Sequence, residues 1–168
     1  GDTPAEMGDG LIDIDLGTNF ISAGITVSAF GSCAWSIAGG VKCWGYGGSG
    51  MLGQGALENI GDAPFEMGDA LTAIDLGSGM RAEKVSMGYN HVCALLRTEM
   101  VKCWGQNTEG QLGYGDKTAR GTGPGEMGDQ LLTVDLSNQI VIDIAAGYKT
   151  TCAALASGSS VCWGHGVK

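Results

Sequence analysis

Apolar residues in this chain come in short runs broken by glycine. Val85-Ser86-Met87-Gly88 and Ile144-Ala145-Ala146-Gly147 each read as a short buried strand that ends at a glycine. His91-Val92-Cys93-Ala94-Leu95-Leu96 reads as the strand that follows, and Val101-Lys102-Cys103-Trp104 as its antiparallel partner. Short apolar runs bounded by turn residues are the mark of strands, and no 3.6-residue apolar period persists anywhere, so no long helix is expected. The turn between the last two strands spans Arg97 to Met100. Gly39-Gly40 and Ser157-Gly158-Ser159 stand at the matching places elsewhere and are good hairpin turns, whereas Thr98-Glu99-Met100 is a weaker one. The expected class is all-β.

The same pattern recurs. Pro4-Ala5-Glu6-Met7-Gly8-Asp9 returns as Pro64-Phe65-Glu66-Met67-Gly68-Asp69 and as Pro124-Gly125-Glu126-Met127-Gly128-Asp129, in steps of sixty residues. Ile14-Asp15-Leu16 returns as Ile74-Asp75-Leu76 and Val134-Asp135-Leu136, and Cys43-Trp44-Gly45 as Cys103-Trp104-Gly105 and Cys162-Trp163-Gly164. The last step is one residue short, which places a deletion between Leu136 and Cys152. Met51-Leu52-Gly53-Gln54-Gly55 matches Gln111-Leu112-Gly113-Tyr114-Gly115 and has no third copy before Lys168. The expected division is residues 1–60, 61–120 and 121–168, the last incomplete at its C-terminal end, with the two ends of the chain in complementary repeat phase. One hairpin cannot bury its own apolar face, so the repeats must stack or ring, each covering the next.

Composition narrows the class. Glycine is abundant (31 of 168 residues) and proline scarce (3), but glycine does not recur every third position, which excludes collagen. Hydrophobic residues make up 43%, too many for a disordered chain. The net charge of −9 comes with no basic cluster, which argues against nucleic acid and against an anionic membrane surface as partners. No apolar run is long enough to insert into a membrane as a helix, and residues 1–9 do not have the form of a signal peptide.

Six cysteines fall as three pairs, Cys33 and Cys43, Cys93 and Cys103, Cys152 and Cys162, each ten apart across a hairpin turn. Partners so placed lie opposite one another, with Cβ atoms about 4.5–5.5 Å apart, and a modest adjustment reaches disulfide geometry. Six reduced cysteines acting as small buried hydrophobes are the alternative reading. Zinc fits poorly, because the CxxC spacing is absent and only His91 and His165 are available. Three intra-repeat disulfides imply an oxidising compartment, so a secreted or cell-surface protein.

Cys93-Ala94-Leu95-Leu96, then Val101-Lys102-Cys103-Trp104-Gly105-Gln106-Asn107, then Gly110-Gln111-Leu112-Gly113-Tyr114-Gly115-Asp116 resembles the regulator of chromosome condensation repeat. The resemblance implies a β-propeller, with one four-stranded blade per repeat and seven blades to a ring. The Cys-rich form with its Glu-Met-Gly-Asp block is similar to repeats of bacterial and microalgal surface-type proteins. Repeat one departs from the pattern at Ser28 and Gly31, where repeat two has Gly88 and His91, and repeat three has Thr150 at that histidine position. Members of the family serve nucleotide exchange, light sensing, ubiquitin-ligase scaffolding and extracellular binding, so the fold does not choose a function.

Candidate chemistry is sparse. The acidic pairs Asp13/Asp15, Glu66/Asp69 and Glu126/Asp129 recur at fixed phase, as turn-capping or blade-linking groups would; calcium or a catalytic dyad is the alternative, and no Asp-x-Asp-x-Asp-Gly loop is present. His91 has no nucleophile motif beside it and reads as structural. Trp44, Trp104 and Trp163 share one repeat position and read as blade packing. The expectation is therefore a non-enzymatic protein with no cofactor or metal. It self-associates head-to-tail into a ring or filament or, alternatively, is a fragment of a seven-bladed propeller that binds another protein.

Overall fold

The computed structural model describes residues 7–166. Three antiparallel sheets of three strands follow one another: β1 (Ser22–Val27), β2 (Gly31–Ser36) and β3 (Val41–Gly45); β4 (Ala82–Met87), β5 (His91–Leu96) and β6 (Val101–Gly105); β7 (Val141–Ala146), β8 (Thr150–Leu155) and β9 (Ser160–Gly164). The register is the same in each. Cys33 faces Cys43, Cys93 faces Cys103 and Cys152 faces Cys162. A bulge near the start of β1, β4 and β7 recurs at the same place. The only helical pieces among the described residues are single 3-10 turns, at Gly8–Gly10, Gly68–Ala70 and Gly128–Gln130.

The sheets stand side by side as propeller blades, first strand next to first strand. Met87 N–H donates to Thr26 Oγ at 3.3 Å, and Ala146 N–H to Ser86 Oγ at 2.9 Å. Alternation along β5 shows why a central blade is buried on both faces. Val92, Ala94 and Leu96 join a core shared with Cys33, Val41, Cys43 and Met51 of the first blade, while Cys93 and Leu95 join a second core with Ile144, Ala153 and Leu155 of the third.

The fourth strand that the family resemblance implies is not part of the ladders. Its place at the edge of β3 is taken by the extended segment after the next 3-10 turn, anchored by the Ile74 amide on the Val41 carbonyl (2.7 Å). Val134 does the same to Val101 at 2.8 Å. The first and second blades thus borrow their outer edge from the repeat that follows.

The hairpin turn at Thr98–Met100 forms like the others despite its composition. Glu99 occupies the left-handed region (φ 65°) that Gly39 (φ 87°) and Gly158 (φ 88°) fill in the other blades. A side chain there costs energy that glycine does not.

Candidate functional site

Two of the recurring acidic residues, Asp69 and Asp129, are joints between consecutive repeats, and others cap local turns. Asp69 accepts the Thr18 amide at 2.6 Å and the Thr18 hydroxyl at 2.8 Å; Asp129 accepts the Ser78 amide at 2.7 Å and its hydroxyl at 2.6 Å. These bonds, from the hydroxyl first and then the amide, hold both carboxyls below the ordinary carboxylate range. Asp15, Asp75 and Asp135 each accept the amide two residues on, at 2.8 Å. A Cβ at Gly17 would lie 2.7 Å from Asp69 Oδ1, so glycine there keeps the carboxylate's place open. Glu66 Oε2 gathers the amides of Gly61, Asp62 and Ala63. Glu126 gathers the amide and hydroxyl of Thr122 and the amide of Gly123. Burial pushes the Glu126 carboxyl up, but these bonds outweigh it and leave it below its usual value. Among the described residues no three His, Cys, Asp or Glu side chains converge as a metal ion would require, and no helix is long and apolar enough to cross a membrane.

Two buried lysines complete the joints. Lys42 Nζ donates to the carbonyls of Leu16 (2.7 Å) and Gly68 (3.1 Å), and Lys102 Nζ to those of Leu76 (2.7 Å) and Gly128 (2.9 Å). Burial lowers the Lys102 pKa, opposed by the nearby charges of Asp129 and Asp75. The sequence signal was present in Val-Lys-Cys-Trp, a lysine placed inside a strand that is apolar on both sides, but without the fold nothing names its acceptors. The third blade has Val161 there.

The cysteines are joined as Cys33–Cys43, Cys93–Cys103 and Cys152–Cys162, with Cα atoms 4.0–4.1 Å apart. The first two bridges are fully buried between blades. The third lies on the outer face of the last sheet, with Cys152 half-buried and Cys162 exposed.

The tryptophans stitch blades together. Trp104 Nε1 donates to the Met51 carbonyl at 3.0 Å and Trp163 Nε1 to the Gln111 carbonyl at 2.9 Å, each reaching back to the preceding repeat. Trp44 belongs to the first blade and is half-exposed. Its whole face is open. Ile25 is 57% exposed where its counterparts Val85 and Ile144 are 1% and 2%, and Leu11 is 62% exposed against 2% and 1% for Leu71 and Leu131.

A row of aromatic rings crosses the arc from Tyr46, just after β3, to Phe30, Tyr89 and Tyr148 in the turns between first and second strands. Ring centroids are 5.8 Å apart for Tyr46–Phe30, 4.9 Å for Phe30–Tyr89 and 4.5 Å for Tyr89–Tyr148. Tyr46, Phe30 and Tyr148 are exposed and Tyr89 is half-buried. Tyr89 and Tyr148 hold one repeat position, but Phe30 is a residue out of phase with them, so the row is invisible to a repeat alignment.

Models of the regulator of chromosome condensation (RCC1) repeat match residues 82–111 and 141–168, and residues 101–154; together they span more than half of the chain. The chain belongs to the RCC1 repeat family. A human protein described as the probable E3 ubiquitin-protein ligase HERC6 is 31% identical over 126 residues, 75% of this chain and 11% of that protein. Human HERC4, described in the same terms, is 35% identical over 88 residues, 52% of this chain and 8% of that protein. The RCC1 arc therefore spans about a tenth of the curated relatives it matches. Among solved structures, yeast RCC1 in a complex superposes with a TM-score of 0.68 at 19% identity, over 90% of this chain and 31% of that one. The ectodomain of the Physcomitrella patens receptor kinase CR4 gives 0.52 at 23% identity, over 89% and 31%. At these identities the likeness is one of fold, and that fold is the RCC1 β-propeller.

Proposed function

We propose that this chain is a non-catalytic structural arc of a secreted or cell-surface assembly, joined head-to-tail to a second copy through its two outer blade faces. One observation carries the reading: the open faces are the two halves of a contact the chain already makes twice. Inside the arc, a bridge such as Cys33–Cys43 packs against a face such as Val85 and Met87 of the next blade. Cys93 and Cys103 repeat this against Ile144. The last blade presents Cys152–Cys162 outward, and the first presents Ile25 and Val27. A contact of this heterologous kind generates a ring or a filament. Three disulfides support an oxidising compartment.

Sedimentation equilibrium over a range of concentrations tests it. Self-association is expected for the chain and is lost in an Ile25→Asp, Val27→Asp variant, whose two changes lie on the open face. A chain that stays monomeric at high concentration overturns the reading.

A second reading, a propeller fragment that binds a different protein, is favoured by the row Tyr46–Phe30–Tyr89–Tyr148. Exposed tyrosine supplies large, rigid contact area at low entropic cost and is enriched at protein interfaces. One yeast RCC1 structure is described with binding to Gsp1p and histones, which makes partner binding a use of this fold. On this reading the chain is monomeric, and Tyr89→Ala with Tyr148→Ala abolishes partner binding without changing the melting temperature by more than a few degrees.

A further inference from the structure

The two junctions inside the arc are chemically different. Between the first and second blades the position beneath the turn is Gly31, and the methyl groups of Met51 and Met87 lie 3.6 and 3.5 Å from where its Cβ would be. Between the second and third blades the same position is His91, fully buried. Its Nε2 lies 2.9 Å from Thr151 Oγ on the third blade. The Thr151 hydroxyl donates to the Gln111 carbonyl at 2.8 Å, so it accepts from the imidazole, which places the proton on Nε2. Nδ1 is then an acceptor, and it has no partner among the described residues. Asn90 Oδ1 and Gln111 Nε2, the other buried polar side-chain atoms without a partner there, belong to residues of the same junction.

We propose that the junction between the second and third blades is an acid-operated hinge, opened by protonation of His91 at Nδ1, while the junction between the first and second blades stays closed. A second proton on the imidazole would need an acceptor at Nδ1 and a compensating charge. Neither faces it. From β5, β6, β7 and β8 the junction receives Cys93, Leu95, Val101, Cys103, Ile144, Ala153 and Leu155, all neutral. Lys102 of β6 points to the other face, at the Leu76 and Gly128 carbonyls. Lys84 of β4 pairs with Asp143 of β7, and Lys149 of the 147–150 turn with Glu109, which also lies 3.8 Å from His165.

Burial alone holds the His91 pKa down, from 6.5 to about 4. In the opened junction the imidazole meets water and returns toward its ordinary value. The closed form is therefore fully favoured above pH 6.5 and loses its advantage as pH falls toward 4. The opening constant rises on the order of fiftyfold to a hundredfold between pH 7.5 and 4.5. The disulfides hold each hairpin together meanwhile, so the third blade moves as a body.

Hydrogen exchange corrected for intrinsic rates, read at pH 7.5 and 4.5, tests the hinge. The amides that donate across this junction, Tyr89 to the Gly147 carbonyl and Ala146 to Ser86 Oγ, are expected to lose protection at pH 4.5, while the Met87 amide, which donates to Thr26 Oγ across the first junction, keeps its protection. His91→Gln, which can donate to Thr151 but cannot charge, is expected to abolish the pH dependence. Should that variant fail to fold, imidazole titration by NMR on the unaltered chain decides: His91 protonation and the loss of protection at Tyr89 and Ala146 share one midpoint. Acid exposure that persists in His91→Gln, equal loss of protection at both junctions, or protonation of His91 without loss of protection at Tyr89 and Ala146 overturns the proposal.

Discussion

Asp129 grips Ser78 with both carboxylate oxygens, across 51 residues of sequence. The grip ties the start of the third repeat to the start of the second blade, and Asp69 with Thr18 repeats it one blade earlier. Asp69 and Asp129 of the Glu-Met-Gly-Asp block are therefore joints, Glu66 and Glu126 cap the turn before them, and these carboxylates are committed to the fold. Asp129→Ala lowers the melting temperature, and adding Ser78→Ala to it causes little further loss, as a double-mutant cycle in thermal melts will show. Both Asp69 and Asp129 have lowered pKa values. Their contribution is present above the ordinary value of 3.8 and is lost as pH falls through their folded values. A stability profile should therefore fall below about pH 4, and fall less steeply in Asp129→Asn.

Lys102 is the buried counterpart of that joint. Lys102→Met removes two charge-assisted bonds and leaves the Leu76 and Gly128 carbonyls without their donor. The expected loss is about 2–3 kcal/mol in urea unfolding. The valine at position 161 shows that the third blade does without this lysine, so Val161→Lys gains no comparable stability.

Much of this is legible in the sequence. The hairpin His91–Leu96 with Val101–Gly105 follows from its apolar runs, and the cysteine spacing of ten places Cys93 opposite Cys103. Asp69 and Asp129 recur at one phase because each meets the amide and hydroxyl of a Thr or Ser 51 residues earlier. What stayed hidden depends on contacts between repeats. Nothing in Val101-Lys102-Cys103 says that the lysine reaches Leu76, and Phe30 joins Tyr89 and Tyr148 only in space, one residue out of register. The borrowed outer edge was hidden for the same reason: Ile74 bonds Val41 through its backbone, which has no sequence signature.

Glu99 carries a conformational cost that a single substitution removes. Glu99→Gly at φ 65° is expected to stabilise the chain by about 1 kcal/mol in thermal or urea unfolding. Gly39→Glu places that cost in the first blade and adds a clash, because a Cβ there would lie 2.5 Å from Arg81 Cβ, so it is destabilising by more.

The three disulfides should not open together. Graded reduction with alkylation and mass spectrometry, at concentrations where the chain is monomeric, should label Cys152 and Cys162 first, because Cys33–Cys43 and Cys93–Cys103 are sealed between blades. Replacing either buried pair by serine costs about 3 kcal/mol, the value for closing a loop of this length.

The central claim is that the open first blade receives another blade of its own kind. Hydroxyl-radical footprinting of the intact chain at low and high concentration tests this most directly. The account predicts that Leu11, Ile25 and Val27 are oxidised at low concentration and protected at high concentration, while Val85 and Ile144 are protected at both. Equal oxidation of Ile25 and Val27 at the two concentrations would contradict it.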